Sequence, residues 1–250
     1  SYKSIKIFYM IKKEILKTIV KLFDKFLNTE LHLRLVSENS EKFYKNSYDV
    51  KEYDLIFIHI PKTGGTTFNF VLDELKKKEN IKIKQRGHFS ISIKTLSSNE
   101  KTNYCTVIRD PIERSISWYN RCLGDKNYYS HGLAKKGFDV FMRRCSEVHN
   151  TFCKYYSGYL DQEVNEYTMN IALNNLKNFK YVFSFENLEN ELKNFANNHH
   201  LNLSTIPKFD YNSKKTDYDN LEYKSIAKFY NPYDMILYNA VQKEIFNLNK

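Results

Sequence analysis

Glycine and proline are scarce in this chain, seven and four among 250 residues. Punctuation this sparse marks particular places, and two of the glycines are adjacent, Gly64 and Gly65. Cysteine is equally rare: Cys105, Cys122, Cys145 and Cys153 are all there is. They form no CxxC pair and have no histidine at ligand spacing, which argues against a zinc site. Cys145 and Cys153 could close a small loop under oxidising conditions, and free thiols in a reducing compartment fit equally well. Long apolar runs are also missing. Residues 5–27 set Ile11, Ile15, Ile19, Leu22, Phe23 and Phe26 at helical spacing, but Lys12, Lys13, Lys17, Lys21 and Lys25 interrupt every run. A membrane span needs ~20 nearly uncharged residues, so this segment is not one. No small-residue cleavage site follows a short apolar core, so no signal-peptide pattern is present. The segment is expected to be a helix packed on the body of the protein, with a basic helix lying on an anionic membrane as the other reading.

What is abundant argues for a folded chain. Hydrophobic residues make up 42% and aromatics 16%, too apolar for disorder. The length suits one α/β domain with an appended segment. The net charge of +10 suits a polyanionic partner: nucleic acid, an anionic membrane, an acidic glycan or a nucleotide with several phosphates. Abundant Lys and Asn would give the same charge with no partner at all, so charge alone decides nothing.

Residues 36–54 are polar and read as a connector. Then Leu55–Ile60 (LIFIHI) forms a short, nearly continuous apolar run, the pattern of a strand buried on both faces. PKTGG breaks it, and Thr66–Lys77 has helical periodicity. Tyr104–Ile108 (YCTVI) is a second strand ending at Arg109-Asp110-Pro111, and Ile112–Leu123 a second helix. Lys180–Phe185 (KYVFSF) is a third strand, followed by a helix over Leu188–Asn197. Strands alternating with helices imply an α/β fold, a single domain whose central parallel sheet is flanked by helices. No internal repeat is visible.

The first strand–loop–helix unit has the composition of an anion site. Loop amides and a helix N-terminus make a positively polarised concavity. Gly64 and Gly65 are expected to let the backbone approach a phosphate and adopt positive φ. Lys62 adds a mobile charge, and Thr66 and Thr67 supply hydroxyls and could cap the helix. This is not the nucleoside-triphosphatase loop, which needs its Lys after the last glycine; here Lys62 precedes both. A second anion motif lies in VIRDPIERSISWYN. Arg109 stands at a strand end and Ser117 eight residues later on the following helix, a planar multidentate donor and a short hydroxyl. The plain structural alternative is an ion-paired helix start, with Asp110 as cap and Arg114 on a solvated face.

Together these motifs resemble the PAPS-dependent sulfotransferases (PAPS is 3′-phosphoadenosine 5′-phosphosulfate). The likeness is greatest to the carbohydrate branch that includes the heparan sulfate 2-O- and 6-O-sulfotransferases, in which PKTGGT-type sequences recur. The RDPxxRxxSxY pattern of that family's 3′-phosphate motif is matched by Arg109, Asp110, Pro111, Arg114, Ser117 and Tyr119. The resemblance implies a P-loop-like phosphosulfate loop over Lys62, Thr63, Gly64, Gly65, Thr66 and Thr67, with Lys62 neutralising charge on the bridging oxygen. It implies Arg109 and Ser117 on the 3′-phosphate, and adenosine 3′,5′-bisphosphate as product. YNSKKTDY (211–218) falls where relatives place basic nucleotide contacts, making Lys214 and Lys215 candidates. ALNNLKNFKYVFSFENLENELKNF (172–195) and NPYDMILYNAV (231–241) extend the likeness, which covers about residues 54–246.

Transfer to a hydroxyl requires a proton acceptor, and His suits near-neutral pH. Of the seven histidines, His88 stands out: it lies in KQRGHFSI, where a loop at the carboxyl ends of the strands would face the donor. The segment is similar to the GH-x-S stretch of the 2-O-sulfotransferases, whose histidine is the proposed base. His59 is expected to be a hydrogen-bonded core residue inside the first strand, whereas His131 and His149 fall in the variable middle, a place for acceptor contacts. No metal is expected, because Lys62 and backbone dipoles supply the positive charge.

The expectations are therefore an arm and connector over residues 1–45 and a sulfotransferase domain over 46–250. The acceptor is a hydroxyl, on an acidic or neutral glycan, with no nucleic acid partner. Two other readings stay open: a nucleotide-phosphate kinase or triphosphatase, and a non-catalytic basic module for nucleic acid or membrane. With no anchor evident, the expected location is cytoplasmic, with contact at the membrane face through residues 5–27 as the other reading of that segment; a piece of a longer chain would instead suit the Golgi lumen.

Overall fold

The computed structural model describes residues 50–85, 88, 90–91, 102–128, 130–160, 162–201, 206–207 and 219–248. The arm over residues 5–27 and the candidates Lys214 and Lys215 lie outside these residues. Leu55–Ile58 (β1) and Tyr104–Ile108 (β3) are buried at every position, as their unbroken apolar sequences require of strands covered on both faces. Ile83–Lys84 (β2) and Tyr181–Ser184 (β4) complete a four-stranded sheet in the order β2-β1-β3-β4. All three pairings are parallel, with Leu55 opposite Ile83, Phe57 opposite Cys105 and Val107 opposite Phe183.

The two faces of β1 and β3 separate into two cores. Leu55, Phe57, Cys105 and Val107 point to one side, against Gly65–Glu79 (α1) and Leu188–Asn198 (α7). Phe68 of α1 is fully buried there and meets Phe57 and Phe183 edge-on, at 4.7 and 4.9 Å between centroids. Removing its ring would cost about 3–5 kcal/mol. Ile56, Ile58, Tyr104 and Ile108 point to the other side, against Thr151–Ser157 (α5), Glu166–Lys177 (α6) and Pro232–Leu248 (α9). The result is the expected three-layer α/β arrangement in one domain.

Helix ends follow local chemistry. Asp110 caps Pro111–Gly124 (α2) by accepting from the N–H groups of Ile112 and Glu113 at 2.8 and 3.0 Å, with Pro at the first helical position. Asn165 and Thr168 form a capping box at the start of α6. His131–Ala134 (α3), Phe138–Arg144 (α4) and Leu221–Tyr230 (α8) complete the described helices. All four cysteines are buried free thiols, which resolves the open question at Cys145 and Cys153.

A buried polar cluster fastens α9 to α5. Asp234 accepts from the N–H groups of Phe152 and Cys153 at 2.9 and 2.8 Å, and so serves as a distant cap for α5. In return, Asn150 Oδ1 accepts from the N–H groups of Tyr233 and Asp234. Asn231 accepts from the Asn150 N–H and donates to Ser115 Oγ of α2 and to the Ala227 carbonyl. The NPYD sequence is thus a reciprocal capping device, which holds helices distant in sequence around the sheet's carboxyl end.

Candidate functional site: a crevice at the carboxyl ends of three strands

Strand order reverses at β1: its successor β2 lies on one side and β3 on the other. In open parallel sheets such a switch point leaves a crevice beyond the strands' carboxyl ends. The segments leaving β1, β2 and β3 all carry candidate residues, namely the loop 59–64, His88 and Arg109. Loop and arginine meet directly, for Arg109 Nη1 donates to the Lys62 carbonyl at 3.1 Å. The guanidinium lies 4.2 Å over the Phe185 ring, from the segment after β4, and is paired with Glu113 at 3.3 Å. Arg109 is only 8% exposed, so a permanent cation is held at the rim of the loop.

The loop is built to turn N–H groups outward. Lys62 and Gly64 are both left-handed, at φ 71° and 82°. Gly64, left-handed, is followed by Gly65 in the right-handed helix, a pairing that gathers consecutive N–H groups into one concavity. The first helical bond runs from Phe68 N–H to the Gly64 carbonyl, and no side chain caps α1 among the described residues. The amides of Gly65, Thr66 and Thr67 therefore lack intrahelical acceptors. With the helix dipole they form a site that favours an anion.

Several expectations change in detail. Gly65 does not adopt positive φ; the second left-handed residue is Lys62 instead. A lysine in this conformation is a strained position of the kind concentrated at functional sites. Thr66 and Thr67 lie inside α1 and do not cap it, because the helix starts one residue earlier, behind Gly64. Thr63 is fully buried, and its hydroxyl donates to the Ile60 carbonyl at 2.9 Å, bracing the turn from within. Gly64 is needed twice over: for its φ, and because a Cβ there would lie 2.6 Å from Leu188 Cδ2.

Two histidines close the other side. His88 Nδ1 lies 2.9 Å from the His59 carbonyl. A carbonyl only accepts, so Nδ1 carries the proton and the lone pair is on Nε2. Burial lowers the pKa of His88, against the opposing bond to His59, and the nearby Arg114 cation lowers it further. Burial chiefly, helped by His88, brings His59 to about 3, so its ring is neutral. His59 lies just beyond β1, not inside it.

Arg114 is not on a solvated face. It is 2% exposed within α2, where burial lowers its pKa and the carboxylate of Asp234 opposes that shift. Ser117, 2% exposed, shares that face at i+3, whereas the Arg109 guanidinium is turned to the phosphate loop. His131 Nδ1 donates to the Cys122 carbonyl at 2.9 Å, and His149 Nε2 donates to the Met142 carbonyl while stacking on Tyr230. Both rings are engaged in holding local structure.

The family model of the sulfotransferases matches residues 45–231, three quarters of the chain and both anion motifs. The chain belongs to the sulfotransferase family. No curated protein matches it.

This sulfotransferase has site features that its motifs alone did not reveal. Glu186 accepts from the Asp110 N–H at 3.0 Å and from Ser184 Oγ at 2.6 Å, tying the end of β4 to the start of α2. Phe185 supplies the face under Arg109. Both follow β4 at once, as the phosphate loop follows β1 and Arg109 follows β3, and that shared position was the available signal. Among the described residues no group of three or more His, Cys, Asp or Glu could hold a metal ion. No described helix is long and apolar enough to cross a membrane.

Proposed function

We propose that this sulfotransferase uses PAPS as donor and a glycan hydroxyl as acceptor, with His88 as general base. The observation that supports this most is the junction of the two anion motifs, Arg109 Nη1 on the Lys62 carbonyl, at the mouth of an uncapped helix. A donor with a 5′-phosphosulfate and a separate 3′-phosphate needs two such cationic elements, and these residues fit that demand. PAPS, when bound, supplies the activated sulfuryl group.

The residues then have distinct tasks. The amides of Gly65, Thr66 and Thr67 orient the phosphosulfate, and Lys62 neutralises negative charge as the bridging oxygen leaves. Arg109 and Ser117 hold the 3′-phosphate, with Arg109 also fixing the loop's shape. His88 accepts the hydroxyl proton at Nε2. Its lowered pKa keeps that nitrogen unprotonated at neutral pH, and its Nδ1–H bond keeps the ring oriented. Positioning and electrostatics provide most of the acceleration, as in phosphoryl transfer. The net charge of +10 suits an acidic glycan.

Incubation with sulfur-labelled PAPS and a glycan panel tests the reading. Wild-type protein should label at least one glycan, and His88→Ala should cut kcat about 10²–10⁴-fold with bisphosphate affinity nearly unchanged. Labelling of no glycan refutes the acceptor class, and full activity in His88→Ala refutes the base.

A further inference from the structure

His59 has no task in that mechanism, yet its ring is packed between named neighbours at the phosphate loop. Its ring stacks on Phe57 at 5.2 Å between centroids and 16° between planes, and meets the His88 ring at 4.5 Å and 45°. Its carbonyl holds His88 Nδ1. Its third neighbour is Gly65. A Cβ on Gly65 would lie 2.0 Å from His59 Nε2 and 2.1 Å from Cδ2, distances no side chain tolerates. Phe57 and His88 both pack against the ring and limit how far it can swing clear.

Gly65 is a helical residue with no positive φ, so backbone conformation does not demand glycine there. Glycine is among the poorest residues for a helix. Close approach is what remains, and the group that approaches is the His59 ring. The two adjacent glycines thus differ in purpose: Gly64 shapes the loop, whereas Gly65 admits an imidazole.

We propose that His59 is a positioning residue whose ring, seated on the bare backbone of Gly65, locks His88 to the phosphate loop. Donor loop and base then form one mechanical unit. The proposal rests on the reading of His88 as the base. Among the described residues, two elements present titratable or charged groups to His88: His59 just beyond β1 and Arg114 on α2. His59, neutral with a pKa of about 3, adds no cation to that set.

Five proteins test it: wild type, Gly65→Ala, His59→Ala, the double variant and His88→Ala. Each is measured for melting temperature, affinity for adenosine 3′,5′-bisphosphate, and the pH profile of kcat. Gly65→Ala should lose roughly tenfold or more in affinity and melt lower, because methyl and ring collide. Adding His59→Ala should return affinity to near wild type and melting to the level of His59→Ala alone. His59→Ala alone should cut kcat roughly 10–100-fold, keep donor KM within about twofold, and retain the ascending pH limb that His88 provides. A double variant as damaged as Gly65→Ala overturns the proposal, since Gly65 would then serve the anion directly. Unchanged kcat in His59→Ala overturns it while leaving the base assignment intact. Loss of the ascending limb in His59→Ala, with the limb kept in His88→Ala, makes His59 the base and overturns both.

Discussion

Acidification should destabilise this protein through His59, by an amount that follows from its surroundings. The ring is held neutral with a pKa of about 3, against 6.5 for an ordinary histidine. The folded state therefore refuses a proton that the unfolded chain accepts. The stabilisation is complete above pH 6.5 and is lost as pH falls from 6.5 toward 3. Between pH 7.5 and 5.5 the linkage relation gives a loss of about 1.4 kcal/mol from this one group. For a domain of this size that is roughly 3–6 °C in melting temperature. His88, also shifted down by burial, adds to the loss in the same direction. The assay is a pair of melting curves, at pH 7.5 and 5.5, for wild type and His59→Ala. The variant starts less stable, because it loses contacts with Phe57, His88 and Gly65, but its further loss on acidification should be smaller by about the stated amount. An equal acid-induced loss in both proteins would refute the reasoning, since His59 would then titrate alike folded and unfolded.

Lys62→Ala should abolish transfer, by about 100-fold or more, while melting near wild type; Lys62→Gly should be equally inactive yet at least as stable, because the residue is left-handed at φ 71° and glycine removes that strain. Activity assays beside melting curves check both variants, and a Lys62→Ala within a few-fold of wild type would exclude the lysine from the mechanism. Arg109→Ala should weaken adenosine 3′,5′-bisphosphate by about tenfold or more, and a 5′-phosphosulfate donor lacking the 3′-phosphate less but measurably, because the Lys62 carbonyl also loses its donor. Calorimetric titration of both ligands decides this. Asp234→Ala should cost about 3 kcal/mol, seen as a fall of roughly 6–12 °C in melting temperature, because two buried N–H groups of α5 lose their acceptor and Arg114 loses its nearby carboxylate.

Much of this was legible in the sequence, for physical reasons that differ from element to element. The runs LIFIHI and YCTVI read as strands buried on both faces; YCTVI matches β3 residue for residue, whereas β1 ends at Ile58, two residues before its run does. The strand over Lys180–Phe185 is one residue shorter at each end, and the helices expected at 66–77, 112–123 and 188–197 extend by one or two residues. The two-residue β2 was missed because it is too short to show a period, and the same holds for the short helices between 131 and 157. At the site, residue types and order pointed to the loop, Arg109 and His88. Sequence could not separate the purposes of Gly64 and Gly65, since one is required by φ and the other by a ring that only the fold brings alongside. Nor could it place Arg114, whose burial depends on Asp234 from the far end of the chain.

The crevice beyond β1 and β3 is proposed to bind a nucleotide carrying both a 3′-phosphate and a 5′-phosphosulfate. The most direct test of this proposal is titration of adenosine 3′,5′-bisphosphate and of ATP into the wild-type protein under the same conditions. The bisphosphate should bind at least about tenfold more tightly than ATP, the margin of one charged hydrogen bond to the 3′-phosphate. Preference for ATP, or binding of neither, would contradict it.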